Sequence, residues 1–444
     1  MISSPETGPA AIDPLPSSPD PSATSHSTPA PPTGQRPREA SRHVSFLLPN
    51  LRGRGVQRIA VILGRAFAER GHRVEFVLCD EEGELRSMLD PRIRVLVLPR
   101  GSRAAAAVAA LRADPPGFPR LLPHLFAPRN RASKTVVQLP ALAAYLRERR
   151  PYSLFSADIH LNVEVVLARR LAGVDTRIVL SERNHFSSGK RIKRWRARWL
   201  APAMRRAYLQ AEAITAVSHG VAGDLATSLG IPETRITVLH NPTIGPDFAA
   251  RIAAPVDHPW LDEERVPVVI GVGYLGYQKD FETLLRAFAR ARKERPLRLV
   301  IVGRAKKPEP FLSLAEELGV RREVDLVGYQ PNPVAWVARA DLFVLSSRYE
   351  GFPNVLLEAL ACGTPVVSTD CPHGPREILD NGRYGRLVPV GDPERMATAM
   401  LEVLADPPEP DFLRARATVF GYEEAIEAYA RVLLGPRPTD LTAP

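Results

Sequence analysis

Cysteine is scarce in this chain: its 444 residues hold three, Cys79, Cys362 and Cys371. That is too few and too odd a number for a disulfide framework, and no metal-ligand spacing joins them. Reduced, structural thiols are expected. No run of eighteen apolar residues occurs, and the N-terminus lacks the charged-then-apolar pattern of a secretory leader, so a cytoplasmic location is expected. Basic stretches interleaved with aromatics at a spacing that would stack bases are also missing. Nucleic acid is therefore not an expected partner despite a net charge of +10. The arginines are spread along the whole chain, and phosphate-bearing substrates or an anionic membrane surface satisfy the same charge.

What is present suffices for two domains, since 45% of the residues are apolar and can fill two cores. Residues 1–40 are an exception: rich in Pro, Ser, Thr and Ala, they cannot bury enough surface to order themselves, and a disordered tail is expected.

The most informative stretch runs from Ala340 to Leu379. Asp341 to Ser347 is an apolar run of strand length without alternation, as in a parallel strand covered on both faces. Pro353 suits a helix start and Gly363 the position past its end, which predicts a helix over Asn354–Cys362. Turning by about 100° per residue, that helix places Leu356 and Leu360 on one side and Glu358 on the other, away from the core. Glu350 sits at the helix mouth, where free N–H groups and the positive dipole end favour an anion. Two carboxylates so placed lie roughly 10 Å or more apart, too far for a retaining glycosidase pair, which needs about 5 Å. A ligand with hydroxyls at both ends and phosphates between fits better: a sugar at Glu350, a diphosphate on the helix N-terminus, a ribose at Glu358.

The Glu-x7-Glu spacing within YEGFPNVLLEALACGTPVVSTD resembles the donor-site signature of the family 4 (group 1) glycosyltransferases. The resemblance covers about His43 to Leu433 and implies the GT-B fold: an α/β protein of two doubly wound, Rossmann-like parallel-sheet domains facing across a cleft. It further implies transfer of a sugar from a nucleotide-diphosphate donor to a hydroxyl with retention, and no bound metal or other cofactor. The lack of an Asp-x-Asp pair before an obvious active loop agrees with that. The expected divisions are an acceptor domain over 41–243, a donor domain over 244–418, and a segment 419–444 whose helix, about Tyr422 to Leu433, crosses back to the first domain.

By the resemblance, the stretch Gly351, Phe352, Pro353, Asn354 and Val355 holds the diphosphate through the N–H groups of its residues other than Pro353, and Gly328, Tyr329 and Gln330 form the base-binding edge. Family members pair an Arg with a Lys five residues on; here Lys279 is present, but the Arg position is Tyr274. Arg304, where the family more often has Glu, is a candidate replacement for the missing charge.

On the first domain, Gly53 and Gly55 follow a strand and open a helix, a usual anion-facing turn. The family usually has an adjacent Gly-Gly pair here, so the match is partial and a purely structural turn stays open. His160 follows the strand Ser153–Ser156, and Glu182, Arg183 and Asn184 follow the strand Arg177–Leu180; both groups point to the carboxyl-end crevice. By the resemblance His160 positions the acceptor or sugar, and a capping or structural histidine is the alternative. The string Ser181 to Asn184 resembles a branch acting on bacterial surface glycans. A helix over Gly189–Gln210 carries Lys190, Arg191, Lys193 and five arginines around Trp195, Trp199 and Tyr208, which suits an anionic membrane surface or, equally, a solvated basic face. The segment Arg100 to Lys134 reads as irregular, packed on its own domain or dipping into a membrane interface.

The expected partners are thus a nucleotide sugar, with uridine as its base, and a lipid-linked or surface-polysaccharide acceptor. Two other readings stay open: a sugar-nucleotide epimerase on the same fold, and a binding protein whose donor site has decayed, as Tyr274 allows.

Overall fold

Among the described residues, thirteen strands divide between two all-parallel sheets. The computed structural model describes residues 41–52, 55–126, 132–187, 194–261 and 266–436. The expected tail over 1–40, Gly53, the basic residues Lys190, Arg191 and Lys193, the side chains of Trp195 and Trp199, and the last eight residues lie outside that description.

The first sheet contains β1 (His43–Leu48), β2 (Arg73–Leu78), β3 (Arg94–Val97), β4 (Ser153–Ser156), β5 (Arg177–Glu182), β6 (Ala213–Ala216) and β7 (Ile236–Val238), in the order β3-β2-β1-β4-β5-β6-β7. The second contains β8 (Val268–Val272), β9 (Arg298–Val302), β10 (Val324–Gly328), β11 (Leu342–Leu345), β12 (Val366–Thr369) and β13 (Arg386–Val388), in the order β10-β9-β8-β11-β12-β13. Strand order reverses between β1 and β4 and again between β8 and β11, and a ligand crevice opens off the carboxyl ends of strands at such a reversal. The two doubly wound, Rossmann-like sheets of a GT-B protein are therefore both present.

The central strands are apolar runs because helices cover both faces. β4, β8, β11 and β12 are buried throughout. Helix starts follow the capping rules: Asp158 accepts from the His160 N–H and Ser218 from the Val221 N–H. The helix Asn354–Cys362 has the predicted bounds and stops at Gly363, whose φ of 80° a residue with a Cβ adopts only at a cost. Two expectations are corrected. The segment from Arg100 is regular, with helices over Arg103–Ala113 and Phe118–Phe126, the first capped by Ser102. β5 runs on through Ser181 and Glu182, which continue the ladder against Thr215 and Ala216.

Between the sheets, the helix Phe248–Ala253 leads into the second half. At the other end of the chain, the helix Tyr422–Leu433 returns to the first sheet, where Ile426, Tyr429 and Leu433 join one core cluster with Val44, Phe46 and Phe155. Tyr152 Oη donates to the Gly435 carbonyl at 2.8 Å and Arg177 Nε to that of Val432 at 2.8 Å. This helix is the lid on one face of the first core. Ile426 is fully buried, so Ile426→Ala is expected to cost about 2–5 kcal/mol of unfolding free energy, measured by urea titration; a loss under about 0.5 kcal/mol would mean the helix is not packed as described.

Candidate functional site

The reversal between β8 and β11 brings together the loops Gly273–Asp280 and Ser346–Gly351. They are tied by backbone and side chain: Arg348 N donates to the Gln278 carbonyl at 2.8 Å, and Ser346 Oγ to that of Lys279 at 2.7 Å. Lys279 Nζ lies 2.7 Å from Glu350 Oε1, and Ser347 Oγ donates to the same oxygen at 2.6 Å. Asp280, which starts the next helix at φ 48°, accepts from Arg348 Nη2 at 2.6 Å and from Thr283 Oγ1 at 2.8 Å. Both loop ends are thus held rigidly. Glu350 is 6% exposed, and its N–H donates to the Pro372 carbonyl at 3.1 Å.

From Glu350 the chain enters the helix Asn354–Cys362. No side chain among the described residues caps its start at Pro353, and first-turn N–H groups have no acceptor within the helix. This is the arrangement in which an anion completes the hydrogen bonding. Glu358, expected to face away from the core, is instead 6% exposed, because Arg251 from the helix Phe248–Ala253 closes over it with Nη2 3.1 Å from Glu358 Oε1. No motif marks Arg251 in the sequence.

The donor loop presses on the first half of the chain. A Cβ at Gly351 would lie 2.2 Å from the Arg183 carbonyl oxygen, so only glycine permits the approach. Ser218 Oγ donates to the Gly351 carbonyl at 2.8 Å. Phe352 packs on both His240 and Phe420, with centroids 5.1 and 5.4 Å away, and those two rings also meet each other at 5.1 Å. Arg183 Nη1 donates to Asn241 Oδ1, and Asn241 Nδ2 to Asn354 Oδ1 at 2.7 Å. That chain of bonds links the end of β5 to the first residue of the donor-site helix.

Arg304 and Tyr274 share one lip. Leu275 N donates to the Arg304 carbonyl at 3.0 Å, and a Cβ at Gly303 would come 1.8 Å from the Gly273 oxygen. The Arg304 guanidinium lies 5.2 Å above the Tyr329 ring, and Nη2 is 3.4 Å from Glu84 Oε1 of the first half. Gly328 turns the chain at φ 73°, and Gln330 Nε2 donates to the Val327 carbonyl at 3.1 Å.

On the first half, His160 stands in the first turn of the helix Ile159–Ala172 and is 7% exposed. Gly55 opens the helix Gly55–Glu69; a Cβ there would meet nothing within 4 Å, so no protein contact demands glycine. Glu182 corrects the expectation of a cleft-facing string. Because β5 extends through Glu182, that side chain is buried in the sheet's cover, accepting from Asn162 Nδ2 at 3.0 Å and from the Tyr208 hydroxyl. Arg183 is buried with its guanidinium 5.5 Å from the Phe155 ring and 5.7 Å from that of Tyr429. Asn184 alone of the three is exposed. In the described part of the basic helix, Arg205 and Arg206 line an open groove with Arg170, and Asp114 lies 3.4 Å from Arg170 and 3.7 Å from Arg206. No helix among the described residues is long and apolar enough to cross a membrane.

Burial pushes the Glu182 carboxyl up to about 7, although the Tyr208 and Asn162 hydrogen bonds work in the opposite sense. The folded chain then holds a proton that the unfolded chain, with an ordinary value of about 4.3, has lost. The stabilisation is full below that value and fades as pH rises through about 7. Glu182→Gln, which keeps the size of the neutral acid, is expected to flatten this dependence. Wild type should lose up to about 3 kcal/mol relative to the variant between pH 4 and 8, read by urea titration across that range; parallel profiles would refute the assignment.

Comparison with known proteins is consistent between the two halves. The family model described as Glycosyltransferase Family 4 matches residues 53–243, and the one described as Glycosyl transferases group 1 matches residues 266–406. The N-acetylgalactosamine-N,N'-diacetylbacillosaminyl-diphospho-undecaprenol 4-alpha-N-acetylgalactosaminyltransferase of Campylobacter jejuni is 29% identical over 286 residues, 61% of this chain and 73% of its own. The lipopolysaccharide core biosynthesis glycosyltransferase LpsE of Rhizobium meliloti is 35% identical over 177 residues, 40% of this chain and 50% of its own, so the matched region spans half of that relative. Among solved structures, Anabaena HepE in complex with UDP and glucose has a TM-score of 0.68 at 17% identity, covering 89% of this chain and 100% of that one. At that identity the likeness is one of fold.

Proposed function

Since the chain belongs to the group 1, family 4 glycosyltransferases, we propose that it moves a sugar from a UDP-linked donor to a hydroxyl of a lipid-linked or surface-polysaccharide acceptor, with retained anomeric configuration. The family and its relatives make the chain a glycosyltransferase of the lipopolysaccharide or polysaccharide biosynthesis type. That both family models are transferase models favours transfer over the epimerase reading of the same fold. The uridine base is supported by the fold shared with HepE, whose structure holds UDP, and the lipid-linked acceptor by the diphospho-undecaprenol substrate in the name of the Campylobacter relative.

One observation carries the reading: Lys279 and Glu350, 2.7 Å apart, stand at the strand-order reversal beside the uncapped start of the helix Asn354–Cys362. In the proposed reaction the bond between the sugar C1 and the phosphate oxygen breaks, its electron pair leaves with the diphosphate, the acceptor hydroxyl oxygen bonds to C1 on the face the diphosphate leaves, and the hydroxyl proton passes to the departing phosphate oxygen. Lys279 and the N–H groups around Gly351 to Val355 stabilise that charge, so no metal is needed on the diphosphate. Glu350 orients the sugar hydroxyls, Glu358 the ribose with Arg251 behind it, and Gly328 to Gln330 the base. His160 positions the sugar or acceptor from the facing half, with Gly55 and Asn184 on the same side. The protein works from the inner face of the membrane, where the groove of Arg170, Arg205 and Arg206 would meet anionic headgroups.

A panel of nucleotide sugars scored by thermal shift without added metal tests the donor site. A shift confined to uridine donors, and lost in Glu358→Ala, is expected; no shift with any nucleotide at millimolar concentration would move the decayed binding protein into first place. Lys279→Ala is expected to lower kcat about 10²- to 10³-fold with its melting temperature kept, and an unchanged kcat would remove Lys279 from the leaving-group role. Arg304 is proposed to supply the cation that Tyr274 lacks. Arg304→Ala should then lower kcat and weaken donor binding, and turnover equal to wild type would end that assignment.

A further inference from the structure

Three side chains that play no part in the proposed transfer converge where the two halves of the chain meet. His185 lies in the loop after β5 and Asp224 in the helix His219–Leu229, both on the first half. His373 lies in the turn after β12, on the second, and holds a left-handed backbone conformation at φ 67°, which a residue with a Cβ rarely adopts. The two imidazole rings stack with centroids 4.3 Å apart and planes 18° from parallel. His185 Nδ1 is 3.7 Å from Asp224 Oδ2, and one ligand atom from each of the three lies within 4.8 Å of the others.

The surroundings fix this cluster and leave one atom in want of a partner. Asp224 Oδ2 accepts from the N–H groups of Phe186 at 2.6 Å and Ser187 at 3.1 Å, the kind of support that orients a metal-binding carboxylate. A Cβ at Gly220 would come 2.2 Å from His373 Nδ1, so the first half clamps that edge of the ring. His373 Nε2 is buried and has no hydrogen-bond partner among the described residues. A buried ring nitrogen left without a partner is costly, and here it shares its space with a second imidazole and a carboxylate.

We propose that His185, Asp224 and His373 form a binding site for a zinc-class divalent cation that pins the two halves of the chain together. Two imidazole nitrogens and one carboxylate oxygen suit zinc, with a fourth position left for water, whereas magnesium and calcium prefer oxygen alone. Tetrahedral bonds of about 2.0–2.1 Å hold ligand atoms about 3.3 Å apart, so on binding the two imidazoles turn and close by up to about 1.5 Å on the Asp224 carboxylate, which the Phe186 and Ser187 N–H groups keep in place. The cation is not part of the transfer chemistry. Its effect reaches the donor site through the chain next to His373, where the Pro372 carbonyl receives the Glu350 N–H at 3.1 Å. Because the ligands come from both halves, the ion binds only when these are apposed, and it stabilises that arrangement in return.

The test uses the full chain, without a histidine tag and stripped of metal. Zn²⁺ titration by calorimetry is expected to show one equivalent bound per chain, and Co²⁺ to give the visible absorption of a tetrahedral site. His373→Asn, chosen because Asn tolerates left-handed backbone, and Asp224→Asn should each weaken Zn²⁺ binding at least tenfold. Zn²⁺ should raise the melting temperature of wild type and not that of His373→Asn. The proposal is overturned if wild type binds no stoichiometric Zn²⁺ and shows no Co²⁺ band, a result that needs no variant to fold. It is equally overturned if binding is unchanged by both substitutions, because other histidines would then hold the ion.

Discussion

The carbonyl oxygen of Arg183 occupies the space that a Cβ on residue 351 would need, 2.2 Å from it, and the arrangement of the cleft follows from that approach. Gly351 lets the second half's donor loop lie directly on the end of β5. Once the loop is there, its own carbonyl receives Ser218, its neighbour Phe352 joins the cluster of His240 and Phe420, and Asn354 meets Asn241. A larger residue would force these contacts apart together, since they all sit within four positions of one another. The helix start that the proposal assigns to the diphosphate is therefore located by a steric condition in the first half as much as by its own strand.

Within the second half, each of the two glutamates of the donor motif already has a cationic partner: Lys279 for Glu350 and Arg251 for Glu358. Such largely buried pairs are weak evidence for stability, because desolvation offsets much of the attraction. Their persistence makes better sense as preparation. Each cation holds its carboxylate in one position until a ligand redistributes the contacts. Glu350 gains further rigidity from Ser347, and the loop from Arg348 and Asp280.

Much of this was legible in the sequence, and the exceptions have physical causes. The bounds of the helix Asn354–Cys362 followed from Pro353 and Gly363, because punctuation by these residue types is a local property of the backbone. The two sheets followed from buried apolar runs. β5 was cut short because Ser181 and Glu182 end its apolar run, while in the structure Asn162 and Tyr208 satisfy Glu182 and allow a polar residue to continue a buried strand. The Glu182 side chain accordingly lies in the sheet's cover and not in the cleft. Arg251, Glu84 and the cluster of His185, Asp224 and His373 had no local signal at all. Each of these contacts joins segments far apart in the chain, and those of Glu84 and of His373 exist only because the two halves are apposed.

The lip formed by Tyr274 and Arg304 shows how one such distant contact bears on the chemistry. Tyr274 is 45% exposed and carries no charge, and the Arg304 guanidinium on the same lip is engaged with Glu84 on the opposite half. Arg304 and Glu84 are 60% and 32% exposed, a setting in which an ion pair is worth about 0–1 kcal/mol. A diphosphate presents more charge than one carboxylate and would sit on a helix N-terminus that adds to the local field. On the proposed reaction Arg304 is therefore the exchangeable cation and Lys279, held by Glu350, the fixed one. Exchange of Arg304 from Glu84 to the diphosphate would release one tie across the cleft as the donor arrives, while the ties around Gly351 remain. Donor binding and the freedom of the facing half to accept its second substrate would then be linked through one exposed side chain.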